Sequence, residues 1–320
     1  MANILEQSQE LKKLWSGYQS TRVLITANNY RVFDFLQKQK TSRSLAKKLG
    51  IDVRATGILL DALTGLGLLI KKNDKYRNSS QASRFLVSES PYYQGDIIKH
   101  GETMWDRWSD LDSVLKTGKP SQRLRDHDAF ILGMHNISSL KAKEIISEVG
   151  IEGVERALDL GGGPGTYSLE MTSRGAHVTL FDLPETIKIA KKLLARTPKS
   201  VKNMSFLKGD FFINDIGKDY DLIFISQIVH SLSEKENISL LRKCRKALND
   251  KGRVVIHEFP INEQRTDPVR SALFAVNMLV NCEGGRTWSP GDMKKWFLKA
   301  GFKGVRKKEV VEGILVSAVK

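Results

Sequence analysis

Residues 159–166 read Asp159-Leu160-Gly161-Gly162-Gly163-Pro164-Gly165-Thr166, preceded by a strand-like run and followed by a helix-like one. Glycines are wanted at such a junction. The chain must turn sharply there and let a ligand approach the backbone, at the carboxyl end of a parallel sheet where open α/β folds bind ligands. A dinucleotide fingerprint, Gly-x-Gly-x-x-Gly, is not met: counting from Gly161, the sixth position is Thr166. The pattern is acid-x-Gly-x-Gly-x-Gly, headed by Asp159, and it suits a ligand that carries a cation and no pyrophosphate.

Working outward, strands alternate with helices from residue 151 on, the pattern of an α/β domain with a mostly parallel sheet. The expected strands are 157–160, 177–181, 204–207, 221–226 and 253–258, with two tightly joined strands, 305–311 and 313–319, closing the chain. Ser233-Glu234-Lys235-Glu236 is a capping box ahead of a helix with Leu241, Cys244 and Leu248 on one face, and Ser289-Pro290-Gly291-Asp292 opens another that Gly301 stops. Two further acids end strands: Asp182, 21 residues after Gly161, and Asp210, another 28 on. The first is spaced to accept from both hydroxyls of a ribose. The second can accept from an adenine amino group while Phe211 packs on the ring. Taken together, the three sites describe S-adenosylmethionine.

Toward the N-terminus, apolar residues recur at helical spacing from Glu10 to about Leu36. Thr41 caps a short helix ending at Gly50, Asp52 caps the next, and Lys71-Lys72-Asn73-Asp74-Lys75 reads as a hairpin turn. Helix, helix, hairpin is the order of a winged helix. Such a module either reads DNA with its second helix or serves as a dimerisation platform. That helix offers Arg54 and Thr56 against Asp52 and Asp61 amid apolar residues, so dimerisation is expected and nucleic-acid binding is not.

Length and composition agree. The chain has 320 residues, 41% hydrophobic and 27% charged, enough for two packed domains and unlike a disordered chain. Two cysteines, Cys244 and Cys282, make no disulfide framework and point to a reducing, cytoplasmic setting. No stretch has the apolar length of a signal peptide or a membrane span. The net charge of +15 is spread: +8 over residues 1–90, −1 over 91–150 and +8 over 151–320. No tail concentrates it, so an acidic small-molecule acceptor is the partner it would serve.

The ordered series of motifs resembles the S-adenosylmethionine-dependent O-methyltransferases of the caffeate and acetylserotonin type. It comprises the winged-helix-like start, Trp108 through Thr117-Gly118-Lys119-Pro120, the glycine turn, Phe181–Pro184, Gly209–Phe211, Ile228-Val229-His230, and Asn277 to Thr287 before Ala300-Gly301-Phe302. The resemblance implies a Rossmann-like class I methyltransferase domain (residues 151–320), a mainly helical winged-helix-like dimerisation domain (1–95) and a helical linker forming one pocket wall (96–150). A homodimer would follow. By the same resemblance Asp159, Gly161, Gly163, Asp182, Asp210, Phe211 and Ser226 hold the cofactor. His230 is the catalytic base and Glu258 its supporting acid. Trp105, Trp108, Met134, Asn277 and Met278 line the acceptor pocket.

Those residue types fit the chemistry. Methyl transfer is an in-line displacement on a sulfonium carbon, for which positioning does much of the work. A phenol is a poor nucleophile while protonated. A neutral imidazole can take its proton while a carboxylate holds the other ring nitrogen. His257-Glu258 is no zinc motif, because no second histidine follows at the needed spacing, and no metal is expected. The chain departs from the family pattern in three places. Ser231-Leu232 follows the histidine where many members have Asp-Trp. Ser226 stands where a basic residue is usual. Gly284-Gly285-Arg286-Thr287 lacks a second supporting glutamate, with Glu283 displaced. These leave two alternatives beside transfer to a hydroxyl of an aromatic or polyketide-like molecule. One is carbon or nitrogen methylation, as on a tetrapyrrole or phenazine-like acceptor. The other is a non-methylating relative that uses the cofactor structurally.

Overall fold

The computed structural model describes residues 3–195 and 201–320, and the chain divides into two compact units, Met1–Thr103 and Met104–Lys320. The first unit begins with α1 (Ile4–Ser16), α2 (Tyr18–Asn29) and α3 (Val32–Phe35). The helical run read from Glu10 to Leu36 is thus three pieces, interrupted at Gly17 and at Arg31, which adopts a left-handed φ of 53°. There follow β1 (Lys40–Thr41), α4 (Ser42–Leu49), α5 (Val53–Gly65), β2 (Leu69–Lys72), β3 (Lys75–Asn78) and α6 (Ser80–Phe85). The caps are those expected: Thr41 Oγ1 accepts from Ser44 N–H at 3.2 Å and Asp52 Oδ1 from Ala55 N–H at 2.7 Å. Asn73 and Asp74 both take positive φ, as a two-residue hairpin loop requires. β3 pairs antiparallel with both β1 and β2, so the winged helix is complete. Phe33, Leu36, Leu45, Leu60 and Leu63 form its core.

Two findings bear on the use of this unit. Thr56 is buried and its hydroxyl is spent on the Asp52 carbonyl, which leaves Arg54 the sole polar side chain of the pair offered to a groove. In contrast, α1 buries nothing: Leu11, Leu14 and Trp15 are 63, 81 and 60% exposed.

Helix α7 (Gly95–Trp108) runs across the division between the units, and α8 (Leu111–Thr117), α9 (His127–Ser139) and α10 (Ala142–Val149) precede the sheet. The alternation then runs β4 (Arg156–Leu160), α11 (Thr166–Ser173), β5 (His177–Asp182), α12 (Pro184–Leu194), β6 (Met204–Lys208) and β7 (Tyr220–Ser226). It continues through a 3-10 turn (Val229–Ser231), α13 (Glu234–Ala247), β8 (Leu248–Glu258), α14 (Val269–Asn281), α15 (Pro290–Lys299), β9 (Lys303–Val310) and β10 (Gly313–Val319). The seven strands lie in the order β6-β5-β4-β7-β8-β10-β9. The first five are parallel, and β10 is antiparallel to both neighbours. Because β5 and β6 lie on one side of β4 while β7 and β8 lie on the other, strand order reverses between β4 and β7, and a crevice opens beyond their carboxyl ends.

Both faces of the sheet are covered. Along β7, Ile223 and Ile225 face Leu240, Leu241, Trp296 and Phe297, while Leu222 and Phe224 face Ile145, Ile146, Tyr167 and Met171. Side chains on a strand alternate between faces, which is why a near-continuous apolar run is needed here. Each large side chain buried as fully as Trp296 or Phe297 contributes roughly 1.5–3 kcal/mol. Among the described residues no helix is long and apolar enough to cross a membrane.

Candidate active site

The glycine turn is tied to the neighbouring strand. Gly161 and Gly162 N–H both donate to the Phe181 carbonyl, at 2.8 and 3.2 Å, and Gly163 N–H donates to Asp182 Oδ2 at 2.8 Å. Space explains the residue types. Gly161 has a φ of +70°, and a Cβ there would lie 2.5 Å from Ile228 Cδ1; one on Gly162 would lie 2.8 Å from the Asp159 carboxylate. A Cβ on Gly163, however, would meet nothing within 4 Å, so the loop faces open space where a ligand can approach.

Three acids lie around this loop. Asp159 is buried beneath Gly162, accepts from Ser168 Oγ at 2.6 Å, and keeps Oδ1 without a partner among the described residues. Burial, with the charge of Asp182 adding to it, pushes its carboxyl up to about 6. Asp182 ends β5 and accepts backbone N–H groups on both oxygens, from Gly163 and from Leu183. Burial raises its carboxyl against those bonds, and each oxygen keeps a further lone pair. Asp210 follows β6 on the adjacent strand end. Its Oδ1 accepts from Phe212 N–H at 2.8 Å, and the Phe211 carbonyl is held by Lys243 Nζ at 2.7 Å. The open front of Gly163, the orphaned Asp159 oxygen and the spare acceptor sites of Asp182 suit a cationic, ribose-bearing cofactor.

At the end of β7, Ser226 Oγ lies 2.9 Å from Nδ1 of His257, a residue not anticipated from the sequence. His257 is fully buried against Tyr167 and Phe224, and its Nε2 has no partner among the described residues. Burial, with the charge of Lys141 adding, depresses its pKa to about 3. Ser226 is therefore committed to a neutral imidazole on the α11 side of the sheet.

Its neighbour Glu258 faces the other way. Glu258 Oε2 lies 2.9 Å from His230 Nδ1, and Oε1 accepts the His230 backbone N–H at 3.4 Å. Both residues are buried, at 3 and 9% exposure. A carboxylate at that distance assigns the proton to Nδ1 and leaves Nε2 as an acceptor. The turn that carries His230 is pinned from three sides. Asn237 Nδ2 and Trp288 Nε1 each donate to the carbonyls of Val229 and Leu232, at 3.0–3.3 Å, and Arg286 N–H donates to the His230 carbonyl at 2.8 Å. The rings of Phe259 and Phe274 stand 6.3 and 4.9 Å from the imidazole. Glu283 is exposed, and Glu258 is the acid that reaches the ring.

The residues expected to line an acceptor pocket are joined in part. Trp108 Nε1 donates to Asn277 Oδ1 at 2.9 Å, linking the end of α7 to α14 one residue before the buried Met278. Asn281 Nδ2 donates to the Asn277 carbonyl at 2.7 Å, and its Oδ1 accepts from Nε of the buried Arg107 at 2.6 Å. Trp105 and Met134 are half-buried on α7 and α9. Arg107, Asn281 and Trp288 escaped sequence reasoning because their partners lie far along the chain, and Asn237 because its partners are backbone carbonyls of the preceding turn. Asn237 did carry one signal, as a polar residue on the apolar side of an otherwise amphipathic helix.

Two family profiles match the chain: one described as an O-methyltransferase domain, over residues 96–303, and one as an O-methyltransferase dimerisation domain, over residues 12–88. Among similar proteins, 3-hydroxy-5-methyl-1-naphthoate 3-O-methyltransferase of Streptomyces sahachiroi is 29% identical, covering 92% of this chain and 90% of its own. Acetylserotonin O-methyltransferase of Gallus gallus is 28% identical over 88% of each. An O-methyltransferase family protein from Burkholderia thailandensis superposes with a TM-score of 0.88 at 25% identity, covering 100% of this chain and 98% of its own. Human N-acetylserotonin methyltransferase, solved with S-adenosylmethionine, shares the fold at a TM-score of 0.90 and 23% identity, over 100 and 99%. With a dimerisation domain and a catalytic domain matched in order, this chain belongs to the S-adenosylmethionine-dependent O-methyltransferase family.

Proposed function

We propose that the protein moves a methyl group from S-adenosylmethionine to a hydroxyl of a small aromatic or polyketide-like acceptor, with His230 as general base. The observation that carries this reading is the buried 2.9 Å contact between His230 Nδ1 and Glu258 Oε2, which leaves Nε2 free to accept a proton. Relatives named for a naphthoate, for acetylserotonin and for tetracenomycin support the acceptor class.

When bound, the cofactor supplies a methyl group on a positively charged sulfur. Gly161, Gly163, Asp182, Asp210 and Phe211 would hold it, with Asp159 supporting the glycine turn from below; Ser226, given to His257, is not among them. His230 Nε2 removes the acceptor's hydroxyl proton as the new bond to carbon forms. Glu258 stabilises the imidazolium that results, and the proton then leaves to solvent. Phe259 and Phe274 keep water from the imidazole, and Trp105, Trp108, Met134, Asn277 and Met278 hold the acceptor by shape and by the Trp108–Asn277 bond. The protein works as a homodimer in the cytoplasm.

His230→Ala should leave S-adenosylmethionine affinity within about twofold by calorimetry and lower S-adenosylhomocysteine release by roughly 10²–10⁴-fold, the usual range for a positioned base. Unchanged turnover removes His230 from the mechanism. The basic excess would favour an acidic acceptor, read as a KM that rises with ionic strength. A flat response returns the charge to general solubility.

A further inference from the structure

Positive charge is spread evenly between the two ends of the chain, but folding gathers one half of it. Residues 151–320 carry 28 basic and 20 acidic side chains, and the three elements α13, α15 and β9 hold 12 of the former and 4 of the latter. The +8 excess is theirs alone, because the rest of that stretch balances at 16 of each sign. These elements are neighbours: α13 packs on α15, and α15 on the edge strand β9.

Helical spacing aligns the charges. On α13, Lys235, Arg242 and Lys246 are exposed at i, i+7 and i+11, which fall within about 40° of one another at 3.6 residues per turn. On α15 the exposed stripe is Lys294, Lys295, Leu298 and Lys299, so Leu298, 54% exposed, projects among lysines. Arg242 Nη2 reaches the Lys299 carbonyl at 3.5 Å, which ties the two stripes together. Of the six bases only Lys299 has an acid partner among the described residues, Glu234 at 2.9 Å. Like charges left unpaired on one face repel one another, and an anionic partner relieves that repulsion.

The form of the patch selects the partner. A second copy of this chain brings the same sign and is repelled. The groove between the helices, lined by Ile238 and Arg242, is bridged by the Lys299–Glu234 pair and offers no continuous trough for an acidic helix. No aromatic ring is exposed on the three elements, so unpaired bases find nothing to stack on. Five of the six bases are lysine, a compact point charge, where arginine would suit a bidentate grip on single phosphates. A plane of negative charge with an apolar layer beneath it fits all of these features. Lysine stems lie along such a plane with their ammonium groups among the headgroups, and Leu298 reaches past them.

We infer that the α13–α15 face docks on an anionic lipid surface, as a peripheral contact made by the two basic stripes and Leu298. This stands independently of the methyl-transfer reading.

The test is co-sedimentation with phosphatidylcholine vesicles that contain about 30% phosphatidylglycerol, in about 0.1 M salt. The wild-type protein should pellet with these and stay in solution with pure phosphatidylcholine. A basic residue near such a surface contributes about fivefold to partition, so Lys246→Gln with Lys294→Gln and Lys295→Gln should lower it at least about 30-fold. Lys47→Gln with Lys48→Gln and Lys75→Gln removes the same charge from exposed sites of the first unit and should lower it less than about threefold. Leu298→Ser, which alters no charge, should lower it about threefold or more. Equal losses in the two triple variants show that net charge alone drives adsorption and overturn the inference, as does wild-type protein that stays in the supernatant. So does complete displacement from the vesicles by poly-L-glutamate or by a short DNA duplex at equal concentration of negative charge, which would assign the face to an acidic protein or to a nucleic acid.

Discussion

Replacing His257 by glutamine should make the fold less sensitive to acid. Glutamine keeps a polar group for Ser226 and cannot take up a proton in this range. In the native protein the imidazole titrates at about 3, held down first by burial and then by Lys141, whereas in the unfolded chain it titrates near 6.5. Between those values the unfolded chain binds a proton that the native state refuses. Stability is therefore complete above about pH 6.5 and falls as pH drops toward 3. At pH 4.5, two units below the unfolded value, the loss is about 2.7 kcal/mol at roughly 1.36 kcal/mol per unit. For a unit of this size that is roughly 5–11 °C in melting temperature. The assay is a thermal melt of wild type and variant at pH 7.5 and 4.5. The wild type should lose that much more than His257→Gln on acidification, whatever the absolute cost of the substitution. Parallel curves would refute the reasoning, since they would mean that the native imidazole is free to protonate.

Two other substitutions test separate parts of the molecule. Glu258→Gln keeps an oxygen for the His230 backbone N–H but removes the charge that stabilises an imidazolium. A charge-assisted bond is worth about 1.5–3 kcal/mol, so kcat should fall roughly 10- to 150-fold with the KM for S-adenosylmethionine little changed, as steady-state kinetics would show. Leu14→Glu with Trp15→Ser places a charge on the uncovered face of α1. Light scattering should show a dimer for the unaltered protein and a monomer for this variant, and equal masses would exclude this face from the interface.

The signals legible in the sequence were those whose chemistry is local. Thr41, Asp52, Ser233 and Ser289 each cap the helix that follows because an oxygen at that spacing meets an unpaired N–H wherever the chain later goes. The same holds for the glycine turn and for acids at strand ends, which topology alone delivers to one edge of the sheet. Position of pairing was less legible. That β10 inserts between β8 and β9 depends on contacts across more than fifty residues, and no local pattern announces it. The break at Arg31 was hidden because its helical spacing persists on both sides of the turn. At the site, His230 and Glu258 could be named together by resemblance, but His257 entered the sequence reading only as the neighbour of Glu258 in a pair that makes no zinc motif. Its partner Ser226 comes from the pairing of β7 with β8, and its burial, which depresses its basicity, comes in part from Tyr167 of α11 packing on that face.

The clamp on the turn at Val229–Ser231 has a bearing on how such a protein can change over time. The groups that pin the turn come from Asn237 on α13 and from residues 286–288, while the Trp108–Asn277 wall belongs to α7 and α14. Changes at Trp108 and Asn277 themselves leave the pinning groups of the turn untouched, whereas Phe274, on the same α14, stands 4.9 Å from the imidazole. On the proposed reading a lineage can thus trade one acceptor for another at a few positions of two helices, provided that the turn of α14 carrying Phe274 is kept.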